Sequence, residues 1–240
     1  MIRAVSFDLW FTLIWEKHPD DEELYSRMRV ESIFKILRSR GYDVNLGRIR
    51  EIYMGLGAAR MVMNGREIAS MILIGLGLKN RDELIDEIAE VYEMSTSEFR
   101  PRENPEARHV LSTLKRMGMR IAIVSNTSFS GRGVKALLRN VGIDNYVDVI
   151  ISSSDVGFAK PQRMIFQRLI TSIGIEPTEV VHVGDACVED VMGALASNIH
   201  AVYYTGLLHL RGAKPNVLCL DLVPTIKSLG EFLDLLKIIE

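Results

Sequence analysis

The chain has 240 residues, of which 48% are hydrophobic and 25% charged, with 29 basic side chains against 31 acidic ones. That is enough for one large domain or a core with an insertion. A net charge of -2 gives no global footprint for nucleic acid or an anionic membrane. No stretch approaches the roughly 18 uncharged apolar residues of a membrane span, so neither partner is expected.

The N-terminus shows no cleavable signal pattern and enters a strand-like run at once. The two cysteines, Cys187 and Cys219, are too few for a disulfide framework or a zinc site, which agrees with a reducing compartment and a cytoplasmic location. Cys187 is expected to be a small buried residue.

In chain order, residues 2–7 form a short, continuous apolar run that reads as a buried strand. Residues 14–101 then carry no convincing strand, only helical stripes such as Val30, Ile33, Phe34 and Leu37, and later Leu84, Ile88, Val91 and Tyr92. A loop of that length is implausible inside a compact domain, so the segment is expected to fold as an inserted helical subdomain. Gly55, Gly57, Gly65, Gly75 and Gly77 weaken the helices in its middle. The cluster of Met61, Val62, Met63, Met71 and Ile72 reads as core, as an interface between copies, or as the lining of a hydrophobic pocket.

Asn104-Pro105 is expected to cap and begin the next helix, whose stripe is Ala107, Val110, Leu111 and Leu114. Strand-like runs follow at 120–124, 147–152, 179–183 and 200–204, with a second stripe at Phe166, Leu169, Ile170 and Ile173 between them. Alternating strands and helices predict a doubly wound α/β core around a parallel sheet. Ligands of such sheets bind beyond the carboxyl ends of the strands. Asp8, Ser125, Lys160, Asp185 and Asp190 all fall at or after such ends. Pro161 is expected to begin a helix, and a lysine just before it opposes the helix dipole unless an anion or carboxylate cluster lies nearby.

Four segments resemble the motifs of the haloacid dehalogenase (HAD) superfamily. They are Phe7-Asp8-Leu9-Trp10-Phe11-Thr12-Leu13, then Val124-Ser125-Asn126, then Lys160-Pro161 with Ile165-Phe166, and last Val183-Gly184-Asp185 with Asp190. The resemblance implies a Rossmann-like core, 1–14 with 102–240, and a helical C1 cap at 15–101. It makes Asp8 the nucleophile of a covalent aspartyl intermediate, Ser125 and Lys160 its catalytic partners, and Trp10, Thr12 and Asn126 substrate-binding residues. It also implies a Mg²⁺ held by the Asp8 and Asp185 carboxylates and the Trp10 backbone carbonyl, with Asp190 a ligand or a bridge to Lys160. His182 is expected only to pack or hydrogen-bond within its strand.

Position 10 departs from the pattern. HAD phosphatases carry there an aspartate that protonates the leaving group, whereas 2-haloacid dehalogenases have Tyr and phosphonatases Ala. An indole N–H donates a hydrogen bond but is no acid near neutral pH. Dehalogenases, however, lack the Gly-Asp of the fourth motif and place a substrate-binding arginine soon after the first, where this chain has only Lys17. The expectation is a Mg²⁺-dependent phosphatase or phosphotransferase acting on a small phosphorylated metabolite. The alternatives are a 2-haloacid dehalogenase and a catalytically weak ligand-binding protein. The apolar insertion is a candidate interface for an oligomer.

Overall fold

A computed structural model describes residues 1–16, 20–79 and 81–239. Its centre is a six-stranded parallel sheet in the order β5-β4-β1-β6-β7-β8, formed by β1 (Ala4–Phe7), β4 (Arg120–Ser125), β5 (Val149–Ser152), β6 (Val180–Gly184), β7 (His200–Tyr204) and β8 (Thr225–Ile226). Alternation along each strand divides its side chains between two helical layers. Val5, Phe7, Ile121 and Ile123 face α5 (Ala107–Arg116), α6 (Gly131–Val141) and α11 (Leu229–Ile239). Ala4, Ala122 and Val124 face α8 (Arg163–Ile173), which follows the short α7 (Ser153–Val156), together with α9 (Gly193–Leu195) and α10 (Val217–Leu222). Burial on both faces explains why these strands read as unbroken apolar runs.

Chain order reverses about β1. The chain passes to β4 and outward to β5, then returns to the other side of β1 as β6. The register sets Phe7 level with Ile123 and Val183, so residues just beyond those positions converge at the carboxyl edge.

Between β2 (Ile14–Trp15) and β3 (Arg102–Glu103) run four helices: α1 (Asp20–Ser39), α2 (Leu46–Gly55), α3 (Gly65–Gly75) and α4 (Asp82–Met94). They enclose a separate core of Val30, Ile33, Leu37, Tyr53, Ile72, Ile88 and others. The expected stripes are buried except at the half-buried Phe34 and Val91, and the glycines fall where helices can carry them. Gly55 and Gly75 end α2 and α3, while Gly65 opens α3 behind an Asn64 cap that Glu67 reciprocates.

Four local expectations are corrected. The insertion is entered and left through an antiparallel two-residue ribbon, β2 with β3, too short to show any periodicity. The helix after Asn104 starts at Ala107, because Asn104 instead closes a turn through Glu106 N and spends its amide on Thr12 O and Tyr204 Oη. Pro161 does not begin a helix: a turn in which Gln162 N donates to Ala159 O intervenes, and α8 starts at Arg163.

The fourth correction concerns the cysteines. Cys187 and Cys219 are joined in a disulfide, their Cα atoms 5.7 Å apart across 32 residues of sequence. The turn after β6 and helix α10 pack on the same face of the sheet, which brings the two thiols together. The cysteine argument for a reducing compartment therefore falls. No helix among the described residues is long and apolar enough to cross a membrane. Closing a loop of this length stabilises a fold by about 3–4 kcal/mol, which corresponds to a drop of about 10 °C in Tm on reduction. Melting curves with and without dithiothreitol check this; superimposable curves for a protein shown to be oxidised at the outset would contradict it.

Candidate active site

Asp8 follows β1 directly and is fixed by its backbone N–H donating to Val183 O at 2.9 Å. The chain then folds back through a tight turn in which Leu13 N and Ile14 N donate to Leu9 O and Phe11 takes a positive φ of 58°. This turn leaves Trp10 and Phe11 half-buried on the cavity wall and seals Thr12 below it. Thr12 Oγ1 has no hydrogen-bond partner, and Thr12 is not among the lining residues.

Lys160 is the hub. Its ammonium donates to Asp8 Oδ1 at 2.6 Å, Asp190 Oδ1 at 2.6 Å and Val124 O at 2.8 Å, which uses all three of its protons. The lysine is buried, so those bonds are made away from water. Burial alone would push its pKa down, but Asp190 and Asp8 outweigh burial and hold it above the usual lysine range. Asn126 clamps the Lys160 backbone from both sides, its Oδ1 accepting from Lys160 N at 2.7 Å and its Nδ2 donating to Lys160 O at 2.9 Å. Asn126 thus supports the loop as well as lining the cavity. Ser125, at the end of β4, is fully buried with an Oγ that has no partner.

Asp190 is saturated: Oδ1 accepts from Lys160 and lies 3.2 Å from His182 Nε2, and Oδ2 accepts from Ala186 N at 2.8 Å. Although burial opposes it, Lys160 and His182 keep the Asp190 carboxyl well below the usual range. The His182 imidazole is also buried and is pushed toward its neutral form by that burial. A neutral ring donating from Nε2 to Asp190 accepts at Nδ1 from Ser6 Oγ, 2.9 Å away. Gly184 is required by this close packing, since a Cβ there would lie 2.3 Å from Asp190 Cγ.

Asp185 is different. Its Oδ2 is buried and makes no hydrogen bond, although Arg211 Nη2 approaches it to 2.8 Å as an ion pair. Burial, then Asp8 and Asp190, push its pKa up to about 8; burial, offset in part by Lys160, takes Asp8 up to about 6. Carboxylate oxygens of Asp8, Asp185 and Asp190 all lie within 4.8 Å of one another. With all three acids ionised, Lys160 and the part-exposed Arg211 still leave one negative charge in excess, which a hard divalent cation would offset, and the oxygen donor set suits Mg²⁺.

These groups open onto a cavity of about 280 Å³ whose wall also includes Tyr25, Met61, Thr127, Ser128, Glu189 and Arg211. Trp10 Nε1 donates to Thr127 Oγ1 at 3.4 Å. Two arginines were not anticipated from the sequence. Arg211 stands on a 3₁₀ turn, Leu208–Arg211, that follows β7 and carries no motif. Arg29, on α1, is 1% exposed and pinned over the Tyr92 and Phe129 rings at 4.3 and 4.4 Å. It donates to Ser128 Oγ at 2.8 Å, Ser128 O at 3.1 Å and Tyr53 Oη at 3.2 Å, tying the helical segment to the loop after β4. The only sequence signal for Arg29 is a basic residue flanking an apolar stripe. Lys17 lies outside the described residues.

Comparison with known proteins agrees with this architecture. A family model described as haloacid dehalogenase-like hydrolase matches residues 2–198. Haloacid dehalogenase-like hydrolase domain-containing protein 3 of Mus musculus is 25% identical over 249 aligned residues, covering 98% of this chain and 95% of that protein. The glyceraldehyde 3-phosphate phosphatase of Methanothermobacter thermautotrophicus is 32% identical over 98 residues, 41% of this chain and 42% of the phosphatase. A crystal structure of the 2-haloacid dehalogenase from Pseudomonas syringae shares the fold with a TM-score of 0.67 at 20% identity, over the full length of both chains. With its parallel sheet, its converging strand ends and a family match over most of its length, the chain belongs to the haloacid dehalogenase-like hydrolases.

Proposed function

We propose that this chain is a divalent-cation-assisted phosphohydrolase or phosphotransferase that works through an aspartyl phosphate on Asp8. The observation that carries the reading is the excess of carboxylate at the strand ends, where Asp8, Asp185 and Asp190 face Lys160 and the part-exposed Arg211, and Asp185 Oδ2 makes an ion pair but no hydrogen bond. A dianionic phosphate would be repelled by that cluster unless a cation joined it. An acid-rich, metal-binding arrangement serves attack at phosphorus and has no use in attack at carbon. Phosphatases among the relatives, such as the glyceraldehyde 3-phosphate enzyme, agree with the reading.

Asp8 and Asp185, with the Trp10 carbonyl, are the residues that would hold Mg²⁺; Asp190, whose oxygens are already occupied, would support them through Lys160. When bound, the cation supplies charge neutralisation of the phosphoryl group and a template for its orientation. The chain's own groups do the rest. Lys160 holds Asp8 Oδ1, so the carboxylate stays ionised and oriented for in-line attack. The unpartnered Ser125 Oγ is a ready donor to a phosphoryl oxygen. Asp8 forms a bond to phosphorus as the bond to the leaving oxygen breaks, and that oxygen departs with the electron pair. Water then attacks the phosphorus of the aspartyl phosphate, releasing inorganic phosphate and restoring the Asp8 carboxylate. Residues 15–101 would act as a cap over this cavity, with Tyr25 and Met61 on its wall and Arg29 locking it to Ser128.

Trp10 cannot protonate the leaving oxygen, so good leaving groups, such as acyl and aryl phosphates, are the favoured substrates. With Mg²⁺ the rate is expected to fall steeply as leaving-group pKa rises and to vanish in EDTA. Equal rates on aryl and alkyl phosphates would sink this reading, and halide release from 2-chloropropionate in EDTA would replace it with a dehalogenase. Trp10→Asp is expected to raise turnover of alkyl phosphates by about 100-fold or more, within the roughly 10²- to 10⁴-fold scale of general acid help.

The carboxylates also predict how stability responds to pH. With its pKa raised to about 8, Asp185 keeps a proton in the native state that an unfolded carboxyl gives up near pH 4. The contribution of Asp185 to native stability is therefore fully present below the unfolded value and declines as pH rises toward 8. Above pH 6.5 an ordinary histidine is neutral and so is the depressed His182, which leaves Asp185 to dominate the slope. Between pH 6.5 and 8.5 in EDTA we expect a loss of about 1–2 kcal/mol, with Mg²⁺ raising Tm more at the upper pH than at the lower. A Tm in EDTA that is flat or rises over this range, or a Mg²⁺ effect independent of pH, would contradict it.

A further inference from the structure

We propose that Arg211, paired with Asp185, is a carboxylate-recognition residue that a divalent cation on Asp185 would release to a carboxylate on the substrate. The inference rests on the metal-assisted phosphohydrolase reading and narrows it to phosphorylated carboxylic acids. Three observations carry it. Arg211 Nη2 lies 2.8 Å from Asp185 Oδ2, a buried oxygen that lacks a hydrogen bond, on a carboxylate that has an oxygen within 4.8 Å of those of Asp8 and Asp190. The guanidinium is 5.4 Å from the Phe11 ring centroid, and the side chain is 36% exposed, so it has a face to slide on and room to move. Among the described residues, Lys160 and Arg211 are the basic side chains lining the cavity, and Lys160 has spent all its protons on fixed oxygens.

A divalent cation on Asp185 would sit against the guanidinium at a separation where like charges repel strongly. Arg211 then loses its partner inside a cavity that already contains a cation for the phosphoryl group. What it pairs with here is a carboxylate; the planar fork of a guanidinium fits carboxylate and phosphoryl oxygens alike, and with the phosphoryl group met by the cation a carboxylate is the anion left to it. The substrate's own carboxylate would take the place Asp185 has left. A substrate with a phosphoryl group alone would leave Arg211 no anionic partner from the substrate, with only its long 3.5 Å hydrogen bond to the Asp185 backbone carbonyl.

Two binding measurements test this without turnover, each on wild type, Arg211→Met and Arg211→Lys, with melting curves to establish that each variant is folded. First, calorimetric titration of metal-free protein with Mg²⁺ is expected to show about tenfold tighter binding in Arg211→Met, because the resident cation is gone. Second, in saturating Mg²⁺, wild type is expected to bind phosphonoacetate about tenfold more tightly than methylphosphonate, as a charge-assisted contact warrants. That preference should fall to within about twofold in Arg211→Met and return in part in Arg211→Lys. Unchanged or weaker Mg²⁺ binding in Arg211→Met, or an unchanged phosphonoacetate preference, overturns the proposal and leaves the phosphohydrolase reading standing. If neither phosphonate binds wild type in Mg²⁺, the phosphohydrolase reading falls and this proposal falls with it.

Discussion

One buried ammonium organises this molecule. Lys160 joins Asp8 after β1, Val124 in β4 and Asp190 after β6, so a single side chain spans the centre of the sheet at its carboxyl edge. A buried charge is tolerated only when it is paired and its hydrogen bonds are satisfied, and removing one partner of such a pair commonly costs about 3–5 kcal/mol. Other features of the region serve this arrangement. Asn126 holds the Lys160 backbone, His182 and Ala186 N complete Asp190, and Gly184 makes room for Asp190. Three acids face Lys160 and Arg211, so the cluster keeps an excess of carboxylate at the mouth of the cavity.

The helical segment is coupled to this centre by a second buried cation. Arg29 has no carboxylate partner among the contacts described; aromatic rings and the Ser128 carbonyl and hydroxyl stabilise it instead. Its reach from α1 to the loop after β4 makes that loop, which also carries Asn126 and Thr127, responsive to where the helices sit. On the opposite side, the Cys187–Cys219 disulfide ties the turn bearing Asp190 to α10. The candidate site is thus braced by a cationic clasp on one side and a covalent one on the other.

Much of this was legible before any coordinates. Strands buried on both faces leave unbroken apolar runs, so β1, β4, β5, β6 and β7 could be placed to within two residues and the acidic and basic groups at their ends followed. What escaped has common physical causes. The two-residue strands β2, β3 and β8 are shorter than any period. Cys187 and Cys219 are 32 residues apart, and spacing says nothing of proximity without a topology. Arg29 and Arg211 look like ordinary surface charges, because their meaning lies in rings and carboxylates contributed from distant parts of the chain. His182 was rightly expected to hydrogen-bond, but its partners Ser6 and Asp190 become neighbours only in the folded sheet.

The central claim is that Asp8 attacks phosphorus and that water later attacks the same phosphorus. A single turnover of 4-nitrophenyl phosphate in ¹⁸O-labelled water, with excess enzyme and Mg²⁺, followed by mass spectrometry of the released phosphate and of the peptide bearing Asp8, tests it directly. The account predicts label in the phosphate and none in the Asp8 carboxylate. Label in Asp8, the mark of water attacking the carbonyl carbon of the aspartyl phosphate, would contradict it.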